Sequence, residues 1–131
     1  MRDITLRNLD IIHFTMTPFL LEPGEDMRLQ NITIEDIRIH GEGQRQFIRL
    51  RPVVNQYMRK QVPGYISNIR FRNITLDGQG GDYLVQLEGA DAEHDVSDVT
   101  FENVSIVGSK LTKESQPVRI GGNTNNIQFR D

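Results

Sequence analysis

The chain has 131 residues, no cysteine and a formal net charge of −3, and its length suits one domain. The near-balanced charge argues against a nucleic acid or an anionic membrane as partner, and the missing thiols exclude a disulfide framework and a thiolate metal site. No apolar run approaches the roughly 20 residues of a membrane-spanning helix.

The predicted elements recur along the chain as copies of one segment. The copies occupy residues 2–11, 29–41, 66–78, 96–108 and, begun but not completed, 125–131. Their equivalent apolar residues, spaced 28, 37, 30 and 28 positions apart, are Ile4, Ile32, Ile69, Val99 and Ile127. Repeats of this length predict a solenoid, in which each unit buries its apolar face against its neighbours.

Each copy predicts two short strands separated by a one-residue corner. In the third copy, apolar and charged residues alternate from Ile69 to Arg72, Asn73 interrupts the pattern, and the alternation then resumes. Such alternation indicates a half-buried strand rather than a helix. The corner residues of the four complete copies are Asn8, Asp36, Asn73 and Asn103. Asn and Asp tolerate left-handed backbone angles, and we expect stacked corner amides to bond each other.

A third apolar strand follows each complete copy. These strands cover residues 19–21, 48–50, 85–87 and 118–120. Loops of variable length, rich in Gly, Pro, Asn and Asp, absorb the differences between repeats. The predicted fold class is all-β: a right-handed parallel β-helix with three short strands per coil and about four and a half coils, in a single domain over 1–131. A β-sandwich or a leucine-rich repeat fits less well, because hairpin turns and the leucine spacing are missing.

The two ends of such a solenoid need covering. No amphipathic helix precedes Ile4 or follows Phe129, whereas an uncapped solenoid exposes its apolar column and its unpaired strand edges. We therefore expect the chain to be a fragment of a longer β-helix. If it stands alone, we expect an end-to-end stack or another homo-oligomer.

The outward residues of the third strands form two predicted rows. One row is Leu20, Arg49, Gln86 and Arg119, and the other is Glu22, Arg51, Glu88 and Gly121. The long loop beside them adds Asn55, Tyr57, Arg59 and Lys60. Two interpretations stay open: a wall of a sugar cleft, in which arginine forks bind carboxylate or sulfate, or a surface ladder of ion pairs worth roughly 0.2–1 kcal/mol each. Tyr57 is expected either to stack on a sugar ring or to pack on its own coil.

Catalytic and metal-binding groups are not predicted. Glu22 and Glu88 lie two coils apart, roughly 9.6 Å by strand spacing, which is barely compatible with inverting hydrolysis. Arg51 between them would hold both carboxylates ionised. The acidic segment 91–95 lacks the spacing of an EF-hand, so we interpret it as a solvated loop and not as a cation site. The sequence implies no cofactor.

A resemblance to a known family rests on two patterns. The repeated Asn-Ile-x-Phe-x-Asn-Ile-x-Leu covers most of the chain, and residues 47–51, Phe-Ile-Arg-Leu-Arg, precede 64–69, Gly-Tyr-Ile-Ser-Asn-Ile. They resemble the pectin-lyase-like superfamily, and more closely the C-terminal coils of polygalacturonase-type glycoside hydrolases, which carry an Arg-Ile-Lys signature. The resemblance implies that Arg49 and Arg51 hold the sugar and carboxylate groups of the substrate. The family's Asn-Thr-Asp, Asp-Asp and Gly-His-Gly signatures are absent here and would lie upstream of Met1.

The expected function is that of the C-terminal substrate-cleft coils of a polysaccharide-active β-helix that is not catalytic by itself; enzymatic activity stays open. The alternative is a non-catalytic carbohydrate-binding or self-assembling structural module. The expected substrate-binding residues are Arg49, Arg51, Gln86, Glu88, Tyr57, Arg59, Lys60 and Arg119. The expected partner is a polysaccharide, with acidic sugars as one candidate, and neither a nucleic acid nor a membrane. The resemblance implies a secreted or periplasmic protein, although the chain shows no signal peptide.

Overall fold

The computed structural model describes residues 2–11, 17–54, 56–79 and 81–130. This part of the chain contains strands and no helix, as the sequence predicts. The strands are β1 (Arg2–Ile11), β2 (Phe19–Leu21), β3 (Arg28–Glu42), β4 (Gln46–Leu50), β5 (Tyr65–Gln79), β6 (Leu84–Leu87), β7 (Val96–Ile106), β8 (Ser109–Lys110), β9 (Val118–Ile120) and β10 (Thr124–Arg130). The described residues accordingly offer no helical segment with the length and apolarity that a bilayer crossing requires.

The strands form two sheets, each built from equivalent strands of successive repeats. Sheet 1 has the order β1-β3-β5-β7-β10 and sheet 2 the order β2-β4-β6-β9, and neighbours in both series are parallel. The short strand β8 returns antiparallel beside β7. The register of sheet 1 aligns Ile4, Ile32, Ile69, Val99 and Ile127. This arrangement is consistent with a parallel β-solenoid, in which residues one repeat apart become neighbours.

The predicted corners bend continuous strands instead of separating two strands. Left-handed φ angles of 52–56° occur at all four predicted positions, Asn8, Asp36, Asn73 and Asn103. Backbone pairing between β3 and β5 is present both before and after their corners, so each of them runs through its corner as one strand. The expected side-chain ladder forms as well: Asn73 donates to Asp36 at 3.2 Å, and Asn103 donates to Asn73 at 2.9 Å.

A second left-handed position, which the sequence analysis missed, precedes each corner by five residues. Its residues, with φ angles of 54–58°, are Asp3, Asn31, Asn68, Asp98 and Asn126. Side chains bond along this series too, from Asn31 to Asp3 at 3.1 Å and from Asn126 to Asp98 at 2.8 Å. Each complete repeat therefore turns twice within its long strand.

The core consists of apolar columns to which both sheets contribute. Phe71 of β5 stacks on Phe101 of β7 with ring centroids 5.1 Å apart, and Phe101 stacks on Phe129 of β10 at 4.9 Å. Phe19 of β2 approaches the rings of Phe47 and Phe71 at 5.8 Å each, which joins the two sheets. Burying a side chain of this kind contributes roughly 1.5–3 kcal/mol, so the columns dominate the stability of the fold.

Strand β1 is an edge of sheet 1 within the described part of the chain, and its apolar side chains are only partly covered. Ile4 is 37% exposed, whereas its neighbour in β3, Ile32, is 7% exposed. Leu6 and Leu9 are similarly open, at 38% and 37%. An edge with unpaired backbone groups and apolar side chains can accept a further strand.

Candidate ligand-binding site

Sheet 2 carries the candidate binding residues on its outward side. The register of its parallel strands places four residues side by side, Leu20, Arg49, Gln86 and Arg119. The row is therefore arranged as predicted, and its role in binding stays a prediction. Gln86 accepts a hydrogen bond from the amide of Gln46 at 2.9 Å, which orients the Gln86 side chain.

Glu22 pairs with both arginines of this face. Its Oε2 lies 2.9 Å from Arg51 Nη2 and 3.7 Å from Arg49 Nε. The side chains of Glu22 and Arg51 are 23% and 42% exposed, so solvent screens the pairs and each contributes about 1 kcal/mol or less. Arg51 donates to Glu22 from both Nε and Nη2. Within the described residues no ion pair joins Arg51 to Glu88. The expected effect of Arg51 on the Glu88 carboxylate therefore stays a prediction, without a direct ion pair behind it.

The connection between β4 and β5, residues 51–64, is tied to the preceding connection, residues 22–27. The backbone N–H of Arg59 donates to Glu25 Oε1 at 2.6 Å, and the ammonium of Lys60 pairs with Asp26. These predicted binding residues thus hold two connections together through a backbone group and an ion pair. Any contact of Lys60 with a ligand would compete with Asp26.

Tyr57 is an exposed aromatic ring in the same connection. Its exposure of 85% contradicts the expectation that it packs on its own coil. Stacking on a sugar ring is the expectation that remains for this residue, since the ring offers a flat apolar face to a ligand. Asn55, which was expected beside it, lies outside the described residues.

A shallow depression lies between the two connections that follow the inner strands β4 and β6 of sheet 2. Its volume is about 330 Å³, and its lining residues are Arg51, Pro52, Val53, Val54, Glu88, Gly89 and Ala90. One wall comes from the start of connection 51–64 and the other from the connection between β6 and β7, residues 88–95. Gly89 allows a close approach to the next repeat, since a Cβ there would collide with Asn123. Arg51 and Glu88 therefore offer a guanidinium and a carboxylate in one concave place.

Leu20, Arg49, Gln86 and Arg119 do not line this depression. Arg119 lines a second depression of about 360 Å³, together with Gln116. Its guanidinium donates to the carbonyl oxygen of Val118 at 3.0 Å and to that of Gln116. The structure therefore brings Arg51 and Glu88 together and leaves Arg119 in a separate place.

A buried histidine, which the sequence analysis missed, lies in connection 88–95. The expectation of a solvated loop is wrong for His94, which is 7% exposed. Its Nε2 lies 3.0 Å from Asp26 Oδ1, and its Nδ1 lies 3.0 Å from Asp91 Oδ1. The ring also packs on Tyr65, with centroids 4.6 Å apart. The sequence held one signal, an aspartate three residues before the histidine, but Asp26 is 68 positions away.

The charges around His94 reinforce one another. The hydrogen bond to Asp26 raises the pKa of His94, and the bond to Asp91 adds to this although burial acts in the opposite direction. The Lys60 ammonium, followed by the His94 ring, holds the pKa of Asp26 below its usual value. The backbone N–H of His94, followed by its ring, lowers the pKa of Asp91. The cluster therefore favours a protonated imidazole between two ionised carboxylates.

The outward face of sheet 1 carries a ladder of alternating charge that the sequence analysis did not single out. Its members, in order across β1, β3, β5 and β7, are Arg7, Glu35, Arg72 and Glu102. Successive members lie 2.8, 3.5 and 3.0 Å apart. Because the acids and bases satisfy each other, we interpret this ladder as structural.

Arg51 and Glu88 suit binding better than catalysis. Hydrolysis of a glycosidic bond requires two carboxyl groups, one acting as an acid and one as a base or nucleophile. Glu88 is the one carboxylate among the residues that line the depression, and Glu22 is engaged by Arg51. The arrangement can orient the hydroxyl and carboxylate groups of a sugar by hydrogen bonds.

Comparisons with known proteins add no relative. Neither a scan of protein-family models nor searches of curated proteins and of solved structures found a match to this chain. The described residues also contain no group of three or more His, Cys, Asp or Glu side chains placed to hold a metal ion. The geometry of the candidate site is therefore the basis for its proposed role.

Proposed function

We propose that the chain supplies the C-terminal substrate-cleft coils of a polysaccharide-active β-helix that resembles polygalacturonase-type glycoside hydrolases of the pectin-lyase-like superfamily. In this proposal the coils bind the polymer and do not hydrolyse it by themselves. The proposed fold is a right-handed parallel β-helix of about four and a half coils. Each coil has three short strands when a long strand of sheet 1 is counted as two segments about its corner, and right-handed crossovers are the rule for parallel strands.

The observation that carries this proposal is the depression that Arg51 and Glu88 share. It is open at the surface, which suits a long polymer, and it lies between two irregular connections that follow β4 and β6 of sheet 2. Ligand sites are commonly built from such loops on a rigid scaffold. The exposed ring of Tyr57 in the same connection adds a surface on which a sugar can stack.

An acidic polysaccharide is the ligand class that this site suits best. The guanidinium of Arg51 is partly exposed, and its planar fork matches a carboxylate. A ligand carboxylate would share Arg51 with Glu22 or displace that glutamate. Because the pairs involved are solvent-exposed, we expect the affinity to fall as salt is added.

A titration of the full chain with a polyuronate tests this function. We expect measurable binding by calorimetry, a loss of about tenfold or more in affinity for Arg51→Ala and for Tyr57→Ala, and no release of new reducing ends. The matched control is Arg70→Ala, which removes an exposed arginine of sheet 1 and should leave the affinity unchanged. Equal polyuronate affinity for the Arg51 variant and the parent chain would show that the depression is not the binding site.

Self-assembly is a second candidate, favoured by the partly exposed apolar side chains of edge strand β1. A second copy that pairs with this edge would cover Ile4, Leu6 and Leu9 and satisfy the free backbone groups. Sedimentation analysis over a wide concentration range should then show association that Leu6→Lys weakens. A chain that stays monomeric at all concentrations would contradict this candidate and leave the polysaccharide proposal intact.

A further inference from the structure

We propose that His94 is a proton-operated latch that holds together the connections on either side of the candidate depression. The latch consists of His94, Asp26, Asp91 and Lys60. In the protonated state the imidazolium ties connection 88–95 to Asp26 of connection 22–27, and Asp26 is also bound by Lys60 of connection 51–64. Loss of the proton weakens the tie of connection 88–95 to Asp26, whereas the bonds between connections 22–27 and 51–64 do not involve His94. The latch stands independently of the proposed function, whereas its effect on ligand binding rests on that function.

Each of the two ring nitrogens of His94 faces a carboxylate. Nε2 faces Asp26 Oδ1 at 3.0 Å, and Nδ1 faces Asp91 at 3.0 Å to Oδ1 and 3.2 Å to Oδ2. A neutral imidazole carries a single N–H, so it can donate to one of these carboxylates and must turn a lone pair toward the other. The protonated ring donates to both. Both contacts are therefore satisfied at once only by an imidazolium.

The surroundings keep both carboxylates ionised. Asp26 is paired with the ammonium of Lys60. Asp91 accepts backbone N–H groups from Glu93 at 3.0 Å and from His94 at 2.7 Å. Since each carboxylate has a donor besides the ring, neither needs to take up the proton itself, and the proton stays on the imidazole.

The other charged and titratable groups around the ring either favour the imidazolium or contact other partners. Glu93, in the same connection, adds negative charge that favours the imidazolium. Tyr65 covers one face of the ring and directs its hydroxyl to Asp26 at 3.5 Å. The guanidinium of Arg28 lies over the Tyr65 ring, 4.0 Å from its centroid. Asp95 accepts from the amide of Asn125 in the next repeat, at 2.9 Å.

Deprotonation leaves the ring with one N–H, so it keeps its bond to one carboxylate and loses its bond to the other. If Nε2 loses its proton, the bond between connections 88–95 and 22–27 is lost. If Nδ1 loses it, the ring is no longer anchored in its own connection. Either way a buried lone pair then faces a carboxylate oxygen, which costs free energy. Both walls of the depression begin in connections that the latch fixes, so their separation depends on its protonation.

Nuclear magnetic resonance of the full chain tests the latch from about pH 5 to about pH 9.5. We expect the two ring nitrogens of His94 to show the imidazolium signature at neutral pH and to titrate above the ordinary histidine value. Amide exchange in connection 88–95, corrected for intrinsic base catalysis, should accelerate at least tenfold through the same transition. Amides of β5 should not respond.

Three variants sharpen the test. His94→Gln should give fast exchange in connection 88–95 at every pH. Asp26→Asn, which keeps the histidine, should move the transition to lower pH and covers the case in which the first variant does not fold. His40→Gln, at an exposed position of β3, is the matched control and should change nothing. A neutral His94 ring at pH 6, or titration of His94 without a change in exchange, would overturn the latch.

Polyuronate titration of the same samples separates the latch from the proposed function. If both hold, the affinity falls about tenfold or more above the His94 transition, and His94→Gln removes this pH dependence. An exchange transition without binding at any pH overturns the proposed function and supports the latch. Binding that is present without any exchange transition overturns the latch and supports the function.

Discussion

The stacked strands of sheet 1 and the connections beside sheet 2 are held together by different kinds of contact. In the stack, each residue meets its equivalent in the next repeat: phenylalanine on phenylalanine, and at the corners Asn73 on Asp36 and Asn103 on Asn73. In the connections, the partners are unrelated side chains, such as His94 and Asp26, which lie 68 positions apart. Repetition therefore supplies stability and leaves the connections to vary, so functional differences between proteins of this kind should concentrate there.

The two regions should also respond differently to perturbation. The stacked phenylalanine and aliphatic side chains do not ionise, so their contribution depends on packing and not on pH. The latch depends on three charged side chains and a proton. Removing a packed ring should therefore weaken the whole fold at every pH, whereas neutralising His94 should loosen one side of it.

The largest effect is expected from Phe71→Ala in the stack. Phe71 is fully buried and contacts the rings of Phe101 and Phe19, so the substitution should lower the free energy of unfolding by about 3–5 kcal/mol. Urea denaturation measures this change. Thr75→Ala, on the exposed side of the same strand, should stay within about 0.5 kcal/mol of the parent. Comparable losses for both would contradict a core at Phe71.

A corner substitution should have a smaller effect that still belongs to the stack. Asn73 has a φ of 52°, and Ala in this region is disfavoured by roughly 1–2 kcal/mol. Asn73→Ala should therefore destabilise the chain by about that amount in urea denaturation. Asn73→Gly keeps the backbone angle accessible and loses only the side-chain ladder, so it should cost less. A lower free energy of unfolding for Asn73→Gly than for Asn73→Ala would show that backbone strain does not cause the destabilisation.

The pH dependence of stability should report on the latch. The folded pKa of His94 is raised, so its contribution is fully present below the unfolded value of about 6.5 and is lost as the pH rises through the folded value. Asp26 and Asp91 have lowered folded pKa values, and their contribution is lost as the pH falls through those values. Urea midpoints should therefore decline on both sides of a plateau, and His94→Gln should flatten the alkaline decline.

The smallest effect is expected from the charge ladder of sheet 1. Arg72 pairs with Glu102 at the surface and more distantly with the buried Glu35, which Arg7 also holds, and exposed pairs contribute about 0.2–1 kcal/mol each. Arg72→Ala should lower the free energy of unfolding within that range, and the difference from the parent should shrink in high salt. Arg70→Ala, two residues earlier on the same face, should show no such salt dependence.

The stack was predictable because the same alternation of apolar and polar residues recurs in every repeat. Alternation around Ile69 and Phe71 indicated the strands, and Asn73 marked the corner. The second turn could have been found by the same logic, since an Asn or Asp stands five residues before each corner, as Asn68 stands before Asn73. What the pattern did not reveal is that each long strand passes through its corner without a break.

The connections were predictable only in part, because nothing in them repeats. The row of Arg49 and Gln86 followed from strand register, but the direction that Arg51 takes depends on which carboxylate its side chain reaches, and register does not fix that. The latch was beyond sequence reasoning for a stronger reason. The pairing of His94 with Asp26 follows from how two irregular connections fold over one another, and no periodicity encodes it.

The register of the stack is tested most directly by engineered disulfides, since the chain has no cysteine of its own. Thr75 of β5 pairs with Ser105 of β7, and neighbouring strands hold paired Cα atoms about 4.8 Å apart, within the range that a disulfide spans. Thr75→Cys combined with Ser105→Cys should cross-link on mild oxidation, whereas Thr75→Cys combined with Ser97→Cys should not, because Ser97 pairs with Ser67. Free thiols in the first variant with a disulfide in the second would contradict the stacked fold.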